Sequence, residues 1–145
     1  MPEQGTIDRA REDAREGKSP STQAGEFVRE EIHHIREGKH GAKSPQQAIA
    51  IGLSKARRAG VKLPPPKGSA SLKRKAEEDE QASEHPHKIS RTRSRATERA
   101  LKGEPHATAS KSALSRQSKK AAAARSKASR SRAANKAART RKSRS

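Results

Sequence analysis

Large aliphatic side chains crowd together in only one place in this chain, the stretch SPQQAIAIGLSKARRAGVKLPPP from Ser44 to Pro66. Any core must be built around it. Of 145 residues, 28% are hydrophobic, much of that alanine, and Phe27 is the only aromatic residue. A net charge of +19 accompanies that shortage. Low hydrophobicity with high net charge is the signature of a mostly disordered chain. The length would hold one ordinary domain, but the side chains to fill its core are missing.

The aliphatic stretch reads as a helix with signals at both ends. Ser44 offers a capping hydroxyl, Pro45 takes the first helical position, and Gln47 completes a capping box. Ala48, Ile49, Gly52, Leu53 and Ala56 fall on one stripe, with Ile51 to its side. Gly52 lowers helix propensity but permits close approach of a neighbour. Gly60 ends the helix in a left-handed turn, and Val61 folds back on the last turn. Pro64, Pro65 and Pro66 then form a stiff extended spacer.

Two further helices precede it. One runs from about Thr22 to Glu37, with Ala24, Phe27, Val28, Ile32 and Ile35 on one face and Gly38 as its stop. The other runs from about Ile7 to Glu16 behind Thr6, and its face of Ile7, Ala10 and Ala14 is small. REGKSPSTQA (Arg15–Ala24) is echoed by REGKHGAKSPQQA (Arg36–Ala48), a helix–turn–helix repeat of about 25 residues. The second and third helices face each other as an αα-hairpin, marginal alone and calling for the first helix, a second copy or a partner. Lys55, Arg57 and Arg58 lie at the C-terminal end of the third helix, where the macrodipole favours cations. Base-reading helices usually present their N-terminal part instead.

The core QAIAIGLSKARRAG (Gln47–Gly60), preceded by FVREEIHHIREGKHG, resembles a family of small basic bacterial proteins of unknown function. The resemblance covers about residues 20–68. It implies a bacterial protein with a small helical front and no established activity, and it supplies no catalytic residues.

Beyond the prolines the composition changes. PPPKGSASLKRKAEEDEQASEHPHKIS reads as a linker, and its acidic block from Glu77 to Glu80 is placed to fold back on the tail. Lys73-Arg74-Lys75 has the look of a nuclear-localisation patch, read here as chance. From Lys88 to Ser145 there are 19 Lys/Arg against only Glu98 and Glu104, a net of +17, which leaves +2 for residues 1–87. The final stretch mixes Ala, Ser, Lys and Arg with no proline after Pro105. Its composition, though not its order, is similar to linker-histone and bacterial histone-like tails. It lacks their Pro-Ala-Lys units.

The expected fold is therefore a small all-α front of two to three short helices with an αα-hairpin, followed by a largely disordered basic tail. By position this is a weak N-terminal helix over 1–19, a hairpin over 20–63, a Pro/acidic linker over 64–87 and the basic tail over 88–145.

Cations at this density neutralise phosphates and release counterions, which gives salt-sensitive, sequence-independent binding. The residues expected to share that work are Arg116, Lys119, Lys120, Arg125, Lys127 and Arg130. Arg132, Lys136, Arg139, Arg141, Lys142 and Arg144 continue the set. Stacking on single-stranded bases needs aromatic side chains, which the tail lacks, so duplex or structured RNA is favoured over single strands. DNA is the expected partner ahead of RNA. A membrane-surface helix needs an apolar face, and the tail offers only Leu101 and Leu114.

The functional expectation is a cytoplasmic, nucleoid-associated accessory protein that binds nucleic acid non-specifically, its helical front self-associating or docking a protein. The alternative is an adaptor whose helical front is the interface and whose tail binds ribosomal RNA or an acidic protein. No catalytic group, cofactor or metal site is expected. Serines lack a His/Asp partnership. His33, His34 and His40 near Glu30, Glu31 and Glu37 read as solvated polar residues, as do His85 and His87 beside Pro86. No cysteine is present for a disulfide, and the polar N-terminus excludes an ordinary secretory signal.

Overall fold

A computed structural model of the chain describes residues 2–86 and 88–144. Met1, His87 and Ser145 lie outside the described residues, and with them the His85/His87 pair. Two compact units divide the chain, residues 1–110 and residues 111–145.

The first unit contains α1 (Gln4–Arg15), α2 (Pro20–Arg36), α3 (Pro45–Arg58), α4 (Ala70–Glu84), α5 (Arg91–Lys102) and a short 3₁₀ turn (Ala107–Ala109). The second contains α6 (Lys111–Ala123) and α7 (Lys127–Arg144). This corrects the expectation of two to three helices followed by a disordered tail. The described residues of the expected linker and tail are mostly helical.

Local chemistry accounts for the additional helices. Ser69 and Ser90 cap α4 and α5 by accepting from the backbone N–H of Leu72 and Arg93, and Ser126 accepts from Ser129 N–H at the start of α7. Ala, Arg and Lys fill these helices and are strong helix formers. In α7 the like-charged neighbours at three- and four-residue spacing each cost about 0.2–0.5 kcal/mol. The serine cap returns about 1 kcal/mol, and Arg141, Lys142 and Arg144 sit in the last turn where the macrodipole favours them. The repulsion is offset.

In the first unit α2 is central. It packs on α1 and α3, and α4 packs on the far side of α3. The REGK repeat is a structural one. Gly17 and Gly38 take positive φ (74° and 79°) after α1 and α2, and each turn is closed by Lys N–H bonds back to Asp13 and His34 carbonyls. Ser19 and Ser44 then cap the following helices, each with Pro next. Gln47 accepts from the N–H of Lys43, one residue earlier than an ideal capping box. Gly60 (φ 100°) ends α3, and Val61 is buried by folding back. Thr6 does not cap α1. The helix starts at Gln4 behind Glu3, and Thr6 is buried.

Ala10, Ala24, Phe27, Ala56 and Val61 form the core, with Ile7, Leu53 and Leu63 packed against it. The buried face of α3 is Ala48, Gly52 and Ala56, while Ile49, Ile51 and Leu53 stay half-buried at its sides. Small residues at four-residue spacing bring the helix backbones together. A Cβ on Gly52 would lie 2.6 Å from Val28 Cα.

The second copy of the repeat is longer by HGAK (His40–Lys43), and that insertion is a docking edge. Gly41 N–H donates to the Leu101 carbonyl (2.8 Å) and Ala42 N–H to the Pro105 carbonyl (3.0 Å). Arg36 Nε donates to the Ala109 carbonyl (2.7 Å), and Ala42 and Ala109 are buried. A Cβ on Gly41 would stand 1.9 Å from the Glu104 carbonyl oxygen.

Paired substitutions test the helix contact. Helix propensity alone would make Gly→Ala stabilising by about 0.5–1 kcal/mol. Gly25, with nothing within 4 Å of a Cβ, should show that gain. Gly52→Ala should instead destabilise by about 1–3 kcal/mol, because the atoms met are backbone. Denaturant unfolding of the full chain reads both, and equal stabilisation would contradict the packing.

Candidate nucleic-acid interface

The expected phosphate-binding residues are brought together in the second unit. Arg116, Lys119 and Lys120 lie on α6, Arg125 lies between the helices, and Lys127, Arg130, Arg132, Lys136, Arg139, Arg141, Lys142 and Arg144 lie on α7. All are exposed. Residues 111–145 contain no Asp or Glu. Arg125 is held over the start of α7 by bonds from Nε and Nη2 to Ser129 Oγ at 3.2 and 3.0 Å.

The two helices distribute charge differently. On α6, Arg116, Lys119 and Lys120 share one side, while Ala113, Leu114 and Gln117 are less exposed on the other. On α7 the cations point all round, at spacings that match no single face, and no residue is buried.

Sequence reasoning did not single out α5. Arg91, Arg95, Arg99 and Lys102 recur at spacings of four, four and three, one exposed stripe along a helix with no buried residue. Lys102 pairs with Glu98 at 3.1 Å. The four-residue spacing was the signal that would have found it.

Cations at and just after the C-terminal end of α3 are engaged within the first unit. Two residues of the acidic block, Asp79 and Glu80, meet α3 and the segment after it. Asp79 is buried, accepts from Ser54 Oγ (2.5 Å) and pairs with Lys75 (2.7 Å) and Arg58 (3.7 Å). Lys62 bridges Glu80 (3.4 Å) and Glu84 (3.0 Å). Hydrogen bonding to Glu84 raises Lys62 above its ordinary value, and the same bond holds Glu84 below its own. Lys73 and Arg74 are exposed on α4.

Phe27 is buried and offers no face to a base. Of the histidines, His33 is exposed against Glu37 at 2.7 Å, as a solvated residue would be. His34 and His40 are not: each side chain is 14% exposed, turned toward Glu3 and Glu31. The bond from His34 holds the Glu3 carboxyl below its ordinary value.

A family model described as "Family of unknown function (DUF6496)" matches residues 17–67. That stretch runs from the first left-handed glycine through α2 and α3 to just past the prolines. It is what this part of the chain is similar to, and it leaves α4 to α7 outside. No curated protein and no solved structure matches the chain. No helix among the described residues is long and apolar enough to cross a membrane.

The docking of α4 generates a prediction. Asp79→Ala should lower amide-exchange protection in α4 and leave α2 and the first half of α3 unchanged. The Lys62–Glu84 bridge adds a pH dependence with a definite sign. Glu84 contributes above the ordinary carboxyl value of about 4.3 and loses that contribution as pH falls through its lower folded value. Lys62 contributes fully below about 10.4 and loses it as pH rises through its higher folded value. Protection in α4 should therefore be flat between about pH 5 and 10 and weaken below about pH 4. Uniform protection in the variant would contradict the docking.

Proposed function

We propose that the chain binds duplex nucleic acid without sequence specificity through the cations of residues 111–145, as a cytoplasmic accessory protein of the bacterial nucleoid. The observation that carries this reading is a cation-only stretch arranged as exposed helix. No acid within the stretch competes with phosphate for its Lys and Arg side chains.

The geometry favours duplex. The 18 residues of α7 span about 27 Å, or about eight base pairs at 3.4 Å each. An α-helix fits the major groove, and one with cations on every side meets phosphates on both walls. The stripe on α5 suits a single strand of the backbone. Preformed helix also reduces the ordering cost that a disordered tail would meet on binding. With Phe27 buried, no aromatic platform serves single strands.

Anisotropy titrations of the full chain against duplex DNA, duplex RNA and single-stranded DNA test this. Affinity for duplex DNA should fall linearly on a log–log plot against salt. A slope between about −5 and −9 would reflect about 6–10 neutralised phosphates. Replacing Lys136, Arg139, Arg141 and Arg144 by alanine should make the slope shallower by about one unit for each phosphate no longer neutralised. Lysine at the arginine positions should weaken binding only modestly. An affinity indifferent to salt, or abolished by one Arg→Lys change, would contradict the proposal. Preference for duplex RNA would move the target without changing the mechanism.

A further inference from the structure

Glu31 lies on α2 and is fully buried. Its Oε1 accepts a hydrogen bond from Lys55 Nζ, while its Oε2 has no hydrogen-bond donor. Facing Oε2 at 3.1 Å is Nε2 of His40. The left-handed turn at Gly38 brings His40 back over the end of α2.

The tautomer of His40 is fixed by its other nitrogen. Nδ1 lies 2.9 Å from the Gly41 carbonyl oxygen, which can only accept, so Nδ1 carries a proton. A neutral His40 ring then turns the Nε2 lone pair toward Glu31 Oε2. Two acceptors at that distance repel unless something positive lies between them, either a second proton or a metal ion. A ring nitrogen anchored to a backbone carbonyl is also the usual support for a metal-ligating histidine.

His34 supplies a third group. One ligand atom from each of Glu31, His34 and His40 lies within 4.8 Å of the other two. The two imidazole rings meet edge to face with centroids 6.3 Å apart. Tetrahedral zinc ligands at about 2.0–2.1 Å from the ion stand about 3.3 Å from one another, so modest side-chain movement suffices. The surrounding charges are close to balanced. Lys55 balances Glu31, and two more carboxylates stand beside His34. Glu3 Oε1 lies 3.0 Å from His34 Nε2, and buried Glu30 has an Oε2 with no hydrogen-bond partner. Opposing these are the exposed Lys39, 3.7 Å from Glu3, and Arg9 and Arg29 at the rim of the adjoining cleft.

We propose that Glu31, His34 and His40 form a divalent-metal site of the zinc class. Two imidazoles with a carboxylate suit Zn²⁺ better than the oxygen-seeking Mg²⁺ or Ca²⁺. Of the three ligands, His34 also lines the cleft beside Glu3 and Glu30. A bound ion would clamp the HGAK loop to α2, next to the edge on which residues 101–109 dock.

The test is a Zn²⁺ titration of the metal-stripped full chain by calorimetry, with Co²⁺ as the spectroscopic probe. One ion per chain should bind, and Co²⁺ should show the visible bands of tetrahedral coordination. Zinc should shift the imidazole nitrogen resonances of His34 and His40 and leave those of His33 and His85 in place. His34→Ala and His40→Ala should each weaken binding by at least about 10-fold, and His33→Ala should not. Circular dichroism shows whether the variants keep their helix content. If either unfolds, the stoichiometry and imidazole shifts of the unaltered chain decide. No binding of Zn²⁺ at up to hundreds of micromolar would mean that a proton alone fills the gap, and would overturn the site. Binding that shifts all histidines equally would overturn it as well.

Discussion

Gly52 rests against the backbone of Val28, and most of the first unit depends on that approach. A chain with one aromatic residue and few large aliphatics cannot hold helices apart and fill the space between them. It brings the helices together instead. Ala48, Gly52 and Ala56 form the contact face of α3, so that Phe27, Ile32 and Ile35 of α2 close the core with little help. Close approach converts a shortage of apolar volume into backbone contact, where dispersion gains are collectively large. Gly41 plays a similar part where the segment after α5 lies on the HGAK loop.

Close packing of a charged sequence leaves charges inside, and their partners organise the rest of the unit. Glu31 is paired with Lys55, and Asp79 with Ser54, Lys75 and Arg58. Removing one partner of the buried Glu31–Lys55 pair would cost about 3–5 kcal/mol, far more than an exposed pair is worth. These interactions engage much of the basic end of α3 inside the fold. The cations of α5, α6 and α7 stay exposed, on helices that bury almost nothing. Under the proposed function, folding and binding would use separate sets of basic residues.

What was legible in the sequence was what is decided locally. Ser44, Pro45 and Gly60 mark the ends of α3 through bonds spanning a few residues, and the REGK and SP elements mark their turns in the same way. Gly52 could be read as a point of close approach because a glycine inside a helix otherwise has a cost. Helix α4 has too little apolar content to announce itself. Its anchor is a carboxylate, Asp79, whose partner Ser54 is 25 residues away, and that pairing has no local signature. The tail helices are masked by net charge, which hides what the serine caps and the alanine content supply locally. In sequence His40 is indistinguishable from a solvated histidine such as His33. Only the turn at Gly38 and the bond to the Gly41 carbonyl aim its ring at Glu31.

The cationic region is folded as helix before it meets any partner, and the proposed binding mode rests on that. Backbone resonance assignment of the free full chain in dilute buffer tests it most directly. Helical carbon shifts and slowed amide exchange are expected over 111–123 and 127–144, with a break at 124–126. Random-coil shifts across those two stretches, with helical shifts confined to the first unit, would contradict it.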